Sequence, residues 1–339
     1  MPGIIEQIAA ELQVSSATVS RALNDRPGVS QALRERIMQR ARELNYTPSV
    51  VARGLATSQT FTIGFFVREK PELSAQTDPF YGQVLQGVEQ ISAASEYHVA
   101  IGMLTSDILQ APSQFRFVRE RRIDGMILAG PDIPNDFILA MLASHVPLVL
   151  VDNKLAHLTI NCVNSDDYAG GFAAAQHLIE YGHREIGVIS GPDHWYSNHR
   201  RVRGIQHALT DANLPLRIVR ADQTTIESGE QATRQLLTTY PDITGICAVN
   251  DAMAFGAVRA ARAMGRAVPD NLSVVGFDNL DWAALHDPPL TTIDVPKRQI
   301  GQEAARRLLS LLGESDTRPI EVVVSTQLIV RESTRSLRE

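Results

Sequence analysis

Residues 4–27, IIEQIAAELQVSSATVSRALNDRP, hold two short helical patterns separated by the turn-like Gln13-Val14-Ser15. In the first, Ile5, Ile8, Ala9 and Leu12 recur at the i, i+3, i+4, i+7 spacing of one buried helix face. The second can be capped by Ser15 or by Ser16, either of which offers a hydroxyl oxygen to the free N–H groups of the first turn. At about 100° per residue, Val19, Ala22 and Leu23 share one face of this helix, and Ala17, Ser20, Arg21 and Asn24 the opposite one. The outward face is small and polar, carries one Arg and has no bulky apolar residue to hide. A helix of that shape fits the DNA major groove. Taken alone, the pattern is equally that of a plain helical hairpin.

Working outward, Asp25-Arg26-Pro27-Gly28 is a loop by its turn chemistry. Ser30 can cap a third helix whose buried stripe is Leu33, Ile37, Ala41 and Leu44. Asn45-Tyr46-Thr47-Pro48 ends the three-helix bundle, because the residue before a proline avoids the helical region. Residues 49–60, SVVARGLATSQT, can form a helix of about two turns, which alone is below the roughly 12–15 residues at which isolated helices become marginally stable. Gly54 weakens it by about 1 kcal/mol relative to Ala. As a linker the stretch is oddly apolar, with Val50, Val51, Ala52, Leu55 and Ala56. A segment that orders only when paired with its twin on DNA explains both features, with Leu55 wedged between base steps in the minor groove.

From Phe61 the pattern changes to alternating strands and helices. Strand-like runs occur at 61–67, 97–103, 124–128, 147–151, 185–190, 217–221, 244–249, 272–277, 290–295 and 320–330. Amphipathic helices fill most gaps, for instance at 80–95, 166–181, 197–212, 227–238, 251–265 and 297–312. Repeated βα units imply doubly wound parallel sheets covered by helices on both faces. That many strands exceeds one small sheet, so two α/β lobes are expected, with ligand at the carboxyl ends of the strands between them.

At 339 residues the chain is long enough for two or three domains with substantial cores. Cys162 and Cys247 lie far apart and match no metal or CxxC spacing, so they read as small buried residues in a reducing compartment. With neither a secretory-signal pattern nor an apolar run of membrane-spanning length, a cytoplasmic protein without a membrane partner is expected. Net charge is −6, yet residues 1–60 hold seven Arg against five acids, +2, leaving −8 for the rest. A mildly cationic head precedes an acidic body.

Along nearly its whole length the chain resembles the LacI/GalR (lactose repressor/galactose repressor) family of bacterial transcriptional regulators. The resemblance is carried in the head by VSSATVSRALN at 14–24, LNYTP at 44–48 and VARGLA at 51–56. In the body it is carried by PLVLVDN at 147–153, HLIEYGHREIGVISGP at 177–192, RVRG at 201–204 and AVNDAMAFGAVRA at 248–260. SVVGFDN at 273–279 and PPLTTI at 288–293 complete it. The resemblance implies a helix-turn-helix domain at 1–47, a hinge helix at 48–60 and a two-lobed, periplasmic-binding-protein-like core at 61–339. It implies three lobe crossings near 162, 292 and 320, giving a first lobe of about 61–162 and 293–319 and a second of about 163–292 and 320–331. Gly3 stands where the family usually has a Thr cap. The end, RESTRSLRE, carries the single Leu337 rather than a leucine heptad, so a homodimer is expected in place of a tetramer.

Ser16, Ala17 and Arg21 match the family's base-reading positions: Arg can bond guanine bidentately and Ala can touch a thymine methyl. Ser15, Thr18, Ser20, Asn24, Ser30 and Tyr46 suit phosphate contacts, although Thr18 and Ser20 are equally suited to local capping. Val51, Arg53 and Leu55 belong to the hinge that the resemblance places on DNA. In the cleft, Asp152, Arg201, Asn250 and Asp278 match effector contacts, and carboxylates, a guanidinium and an amide suit vicinal sugar hydroxyls. Turn or inter-lobe bonding is the alternative for Asp278 and Arg201, and helix capping for Asn250-Asp251. Phe80, Tyr81, Trp195 and Trp282 are the aromatic candidates for stacking on a sugar ring. Of these Phe80 is the more inclined to core packing, and Trp282 follows closely on Asp278. Thr224 and Lys297 stand where some relatives use aromatics for ligand contact, which implies a different effector. No phosphate loop, GxGxxG, HExxH or GxSxG is present, and His183, His194 and His199 lack ligand spacing, so no enzyme, metal or cofactor is expected. The resulting expectation is a repressor of carbohydrate-utilisation genes that binds palindromic operator DNA as a dimer, controlled by a sugar-like effector. The alternative is a free sugar-binding protein, which leaves residues 4–56 without a task.

Overall fold

The computed structural model describes residues 3–23, 26–44, 46, 59–70, 78–313 and 318–338. The chain divides into two compact units, Met1–Thr62 and Ile63–Glu339. In the first, α1 (Ile4–Leu12), α2 (Ser16–Leu23) and α3 (Gln31–Glu43) pack around Ile8, Ala9, Val19, Ala22, Ile37 and Ala41. Ile5, Leu12, Leu23, Leu33 and Leu44 close this core from its rim. Thus the stripes read from helical periodicity are the faces that meet. Ser15, rather than Ser16, caps α2: its Oγ accepts the Thr18 N–H at 3.1 Å. Ser30 caps α3 by accepting the Leu33 N–H at 3.4 Å. At α1 the Glu6 carboxylate accepts the Gly3 N–H at 3.0 Å, so a glycine suffices there.

The second unit is an α/β fold of two six-stranded sheets. Its elements, in chain order, are β1 (Thr62–Arg68), α4 (Tyr81–Ala94), β2 (His98–Leu104), α5 (Ser106–Gln110), α6 (Arg116–Arg119), β3 (Gly125–Ala129), α7 (Asn135–Ala143), β4 (Leu148–Val151) and β5 (Cys162–Ser165). There follow α8 (Asp167–Glu180), β6 (Ile186–Ser190), α9 (Tyr196–Asp211), β7 (Arg217–Arg220), α10 (Ile226–Thr239), β8 (Gly245–Ala248), α11 (Asp251–Ala263), β9 (Ser273–Asp278) and α12 (Asp281–Leu285). The last are β10 (Thr291–Asp294), α13 (Lys297–Leu312), β11 (Glu321–Val324) and β12 (Gln327–Ile329).

The first sheet has the order β11-β5-β4-β3-β1-β2 and the second β12-β10-β9-β8-β6-β7. The registered pairs are parallel apart from β10 with β12. Strands such as β3 and β4 are buried at every position, as expected of parallel sheets covered on both faces.

Three details correct the sequence reading. β5, with the sequence CVNS, was not among the expected strands because Asn and Ser break its apolar signal. The run 320–330 is two strands in different sheets, β11 and β12, joined by a crossover. The lobe boundaries move accordingly: β5 and β11 pair with each other in the first sheet, and β10 pairs with β9 in the second. Each crossing therefore follows a completed strand, after Ser165, after Asp294 and after Val324, instead of near 162, 292 and 320.

Candidate functional site

In the head, Ser16, Ala17 and Arg21 are exposed on α2, while Thr18 and Ser20 are half-buried. The Thr18 hydroxyl lies 2.9 Å from Ser15 Oγ, so this pair is engaged in capping. Tyr46 is half-buried against the head core, its N–H donating to the Ala41 carbonyl at 2.8 Å. Asn24, Val51, Arg53 and Leu55 lie outside the described residues. Two arginines that the sequence reading passed over orient the helices. Arg34 on α3 donates to the Ala22 carbonyl at 3.0 Å and the Arg26 carbonyl at 2.6 Å, tying α3 to the end of α2. Arg40 grips Glu11 of α1 at 2.5 and 3.0 Å, and that hydrogen bonding draws the Glu11 carboxyl down to about 2.

In the core, strand ends deliver the polar residues. Arg201 on α9 is 5% exposed and stands between two carboxylates. Its Nε donates to Asp167 Oδ1 at 2.8 Å, and its Nη1 donates to the Val249 carbonyl at 2.6 Å and lies 3.1 Å from Asp278 Oδ1. The guanidinium also stacks on Phe277, 3.8 Å from the ring centre. Burial opposes its charge, but Asp278, Asp167 and Asp152 outweigh that and raise its pKa.

Asp278 ends β9 with φ at 108°, a backbone that costs a non-glycine residue about 1–3 kcal/mol. The buried Lys297 ammonium binds this turn from below. It donates to the Asp278 carbonyl, to Val295 O at 3.1 Å and to Asn279 O at 3.3 Å. Lys297 therefore holds the turn that aims Asp278, which its mismatch with aromatic-bearing relatives did not reveal.

Asp152, after β4, accepts the Tyr81 hydroxyl at 2.7 Å. Loss of solvent, then the charge of Asp167, pushes its carboxyl up to about 7 against the pull of Arg201, Tyr81 and Ser197. Burial likewise raises Asp278 to about 6, with Arg201 and Lys297 resisting. Burial, and the nearby Asp278, raises Asp251 to about 7, although it accepts the Thr292 hydroxyl at 2.6 Å and the Leu280 N–H at 2.7 Å. The Tyr81 phenol is pushed well above its ordinary value by burial first and by Asp152 next, so it remains a donor.

The structure thus gathers Asp152, Tyr81, Arg201 and Asp278, and adds Asp167 and Ser197, which the sequence reading did not single out. Asp167 was hidden because an Asp-Asp pair opening a helix reads as N-terminal capping, and Asp166 does cap α8. Asn250 is spent within the protein: its Oδ1 accepts the Met253 N–H at 2.8 Å and its Nδ2 donates to the Thr224 carbonyl at 3.0 Å. Phe80 is half-buried edge-on to Tyr81, with the Lys297 ammonium 6.0 Å from its ring centre. Trp195 sits at the N-cap of α9 beside the His194 ring, and Trp282 on α12 is 57% exposed. Neither tryptophan joins the Arg201 cluster by a hydrogen bond or ring contact among the described residues. One acceptor of that cluster, Asp167 Oδ2, has no hydrogen-bond partner among the described residues, while Asp278 Oδ1 is paired with Arg201 Nη1 at 3.1 Å. An acceptor left so costs about 1–3 kcal/mol unless something fills it.

Comparison with known proteins matches residues 4–49 to the model of bacterial regulatory proteins of the lacI family, and residues 175–334 to a periplasmic binding protein-like domain. The HTH-type transcriptional repressor CytR of Escherichia coli strain K12 is 34% identical over 336 residues, 98% of this chain and 96% of that protein. The chain belongs to the lacI family. A lac repressor dimer bound to operator and the anti-inducer ONPF superimposes with a TM-score of 0.81 at 27% identity, covering 99% of this chain and all of the other. A complex of the transcriptional regulator CelR with cellobiose gives 0.74 at 29% identity over 98% of this chain and 100% of that one. As a lacI-family member the chain is a DNA-binding transcriptional regulator with a helix-turn-helix head. Among the described residues no helix is long and apolar enough to cross a membrane.

Proposed function

We propose that residues 1–47 read a palindromic operator, that 48–60 form a hinge and that 61–339 form an effector-binding and dimerisation core. In this reading the protein is a cytoplasmic homodimeric repressor of carbohydrate-utilisation genes, with no catalytic reaction and no cofactor. Ser16, Ala17 and Arg21 contact base edges, and Ser15, Thr18, Ser20, Asn24, Ser30 and Tyr46 contact phosphate. Val51, Arg53 and Leu55 act at the minor groove. The effector is a sugar or sugar derivative, in keeping with the cellobiose of the CelR complex.

The observation that carries this reading is the Arg201 cluster, where a buried guanidinium held by Asp167 and Asp278 converges with the Tyr81–Asp152 pair at the ends of β4 and β9. Vicinal hydroxyls suit this set, donating to the carboxylates of Asp152 and Asp278 and accepting from Arg201 and Tyr81. Asn250 takes the role of a helix cap beside the site, and Phe80, Trp195 and Trp282 at most line its approaches.

The test is a mobility-shift assay of the full chain on a palindromic operator with a panel of sugars, repeated with Arg21→Ala and Asp278→Ala. Arg21→Ala is expected to relax base preference at one position and to cost about 1–3 kcal/mol. Equal loss on operator and random DNA would assign Arg21 to phosphate alone. Asp278→Ala is expected to keep operator binding and lose the sugar response. An intact response removes Asp278 from the site.

A further inference from the structure

A cavity of about 360 Å3 opens where the crossovers after Ser165 and Val324 run side by side. That volume falls within the roughly 300–1,000 Å3 of small-molecule sites. Its walls come from both lobes: Lys154 and Glu321 from the first, Tyr196 and Arg200 on α9 from the second, and Asp166-Asp167 from the crossover itself.

Much of the wall is already held in place. Lys154 Nζ pairs with Glu321 Oε2 at 2.6 Å and lies 5.8 Å from the centre of the Tyr196 ring. The Arg200 guanidinium lies 4.9 Å over the Tyr168 ring. Asp166 uses Oδ1 to cap α8 through the Ala169 N–H at 3.0 Å. Asp167 is 2% exposed, and its Oδ2 finds no hydrogen-bond partner among the described residues. Acceptors (Asp166, Asp167, Glu321) and donors (Lys154, Arg200) therefore face one small volume. An anion meets three carboxylates there and a cation meets two positive groups. A neutral molecule bearing several hydroxyls donates to the first set and accepts from the second.

We propose that this cavity is a second small-molecule site, taking a neutral polyhydroxylated ligand of monosaccharide size and separate from the cleft around Arg201 and Asp278. The two sites share Asp167, whose Oδ1 fixes Arg201. A ligand here touches both lobes beside their crossovers, so it biases whichever lobe arrangement shapes the cavity.

The test is calorimetric titration of the full chain with glucose, ribose and myo-inositol. It is repeated on Val323→Trp, which fills the cavity from an exposed rim position, on Tyr196→Ala and on Asp278→Ala. Melting curves establish that each variant is folded. The expected result is a saturable event that persists in Asp278→Ala and weakens by about tenfold or more in Val323→Trp and Tyr196→Ala, about 1.4 kcal/mol. The proposal is overturned if none of the three probes gives such an event, or if every event vanishes in Asp278→Ala and ignores Val323→Trp. An event lost only in Asp278→Ala speaks to the cleft, so the failure of one site is distinguishable from the failure of the other.

Discussion

Arg201 sits between Asp167 and Asp278 in a site almost closed to solvent, and such a cation does more than attract a ligand. Removing one partner of a buried ion pair typically costs about 3–5 kcal/mol, because the remaining charges lose compensation. Arg201→Ala leaves two carboxylates that can escape the penalty by taking up protons. The expected outcome is a loss of about that size at pH 8 and a smaller one at pH 5.5, read from urea unfolding. Equal losses at both pH values would place the effect in lost stacking on Phe277 instead. Asp251 offers a second residue-level test. Its folded pKa, about 7, lies above its ordinary value, so the native state holds the extra proton between about pH 4 and 7. Its contribution to stability is thus present below about pH 4, declines as pH rises through 7, and is constant beyond. Asp251→Asn is expected to flatten the stability profile in that window and to change it little in shape above pH 8.

At the scale of elements, what the sequence discloses depends on periodicity, and what it hides depends on close approach. The helices with an apolar stripe, and nine of the ten expected strand-like runs, correspond to single elements. The short strand β5, the split of 320–330 and the role of Asp167 carry no periodic signal, because each is decided by contacts with distant residues. The same holds for Gly171 on α8 and Gly204 on α9. A β-carbon on Gly171 would overlap the Arg201 carbonyl, and one on Gly204 the Tyr168 carbonyl. In sequence these are merely weak helix formers; in the fold they let two helices touch backbone to backbone. The contact of Gly171 is the backbone of Arg201 itself, so helix packing sets the position of the guanidinium. Gly171→Ala is expected to cost about 1–3 kcal/mol by overpacking and to weaken effector binding along with stability. If calorimetry finds effector affinity unchanged in the destabilised variant, α8 does not position Arg201.

At the scale of the core as a whole, the two lobes meet across the cleft through Gln83 and Asp281 at 3.3 Å. An effector controls DNA only as far as it binds one lobe arrangement better than another, and operator must change effector affinity by the same factor. The carboxyls at the cleft make this coupling depend on pH with a definite sign. Loss of solvent pushes the Asp152 carboxyl up to about 7 and that of Asp278 up to about 6. Hydroxyls that donate to them favour their charged forms, so binding lowers those pKa values and expels protons. Effector affinity is then expected to rise with pH from about 5.5 to 7.5 and to level off above. Because the coupling is reciprocal, any proton release on effector binding that differs between free and operator-bound protein must reappear as a pH-dependent shift in operator affinity. Calorimetry at pH 6.5 in two buffers of different ionisation enthalpy measures the proton count directly. Proton uptake instead of release would mean that the ligand accepts hydrogen bonds from protonated Asp152 or Asp278. The effector would then be rich in acceptors rather than a donor-rich sugar.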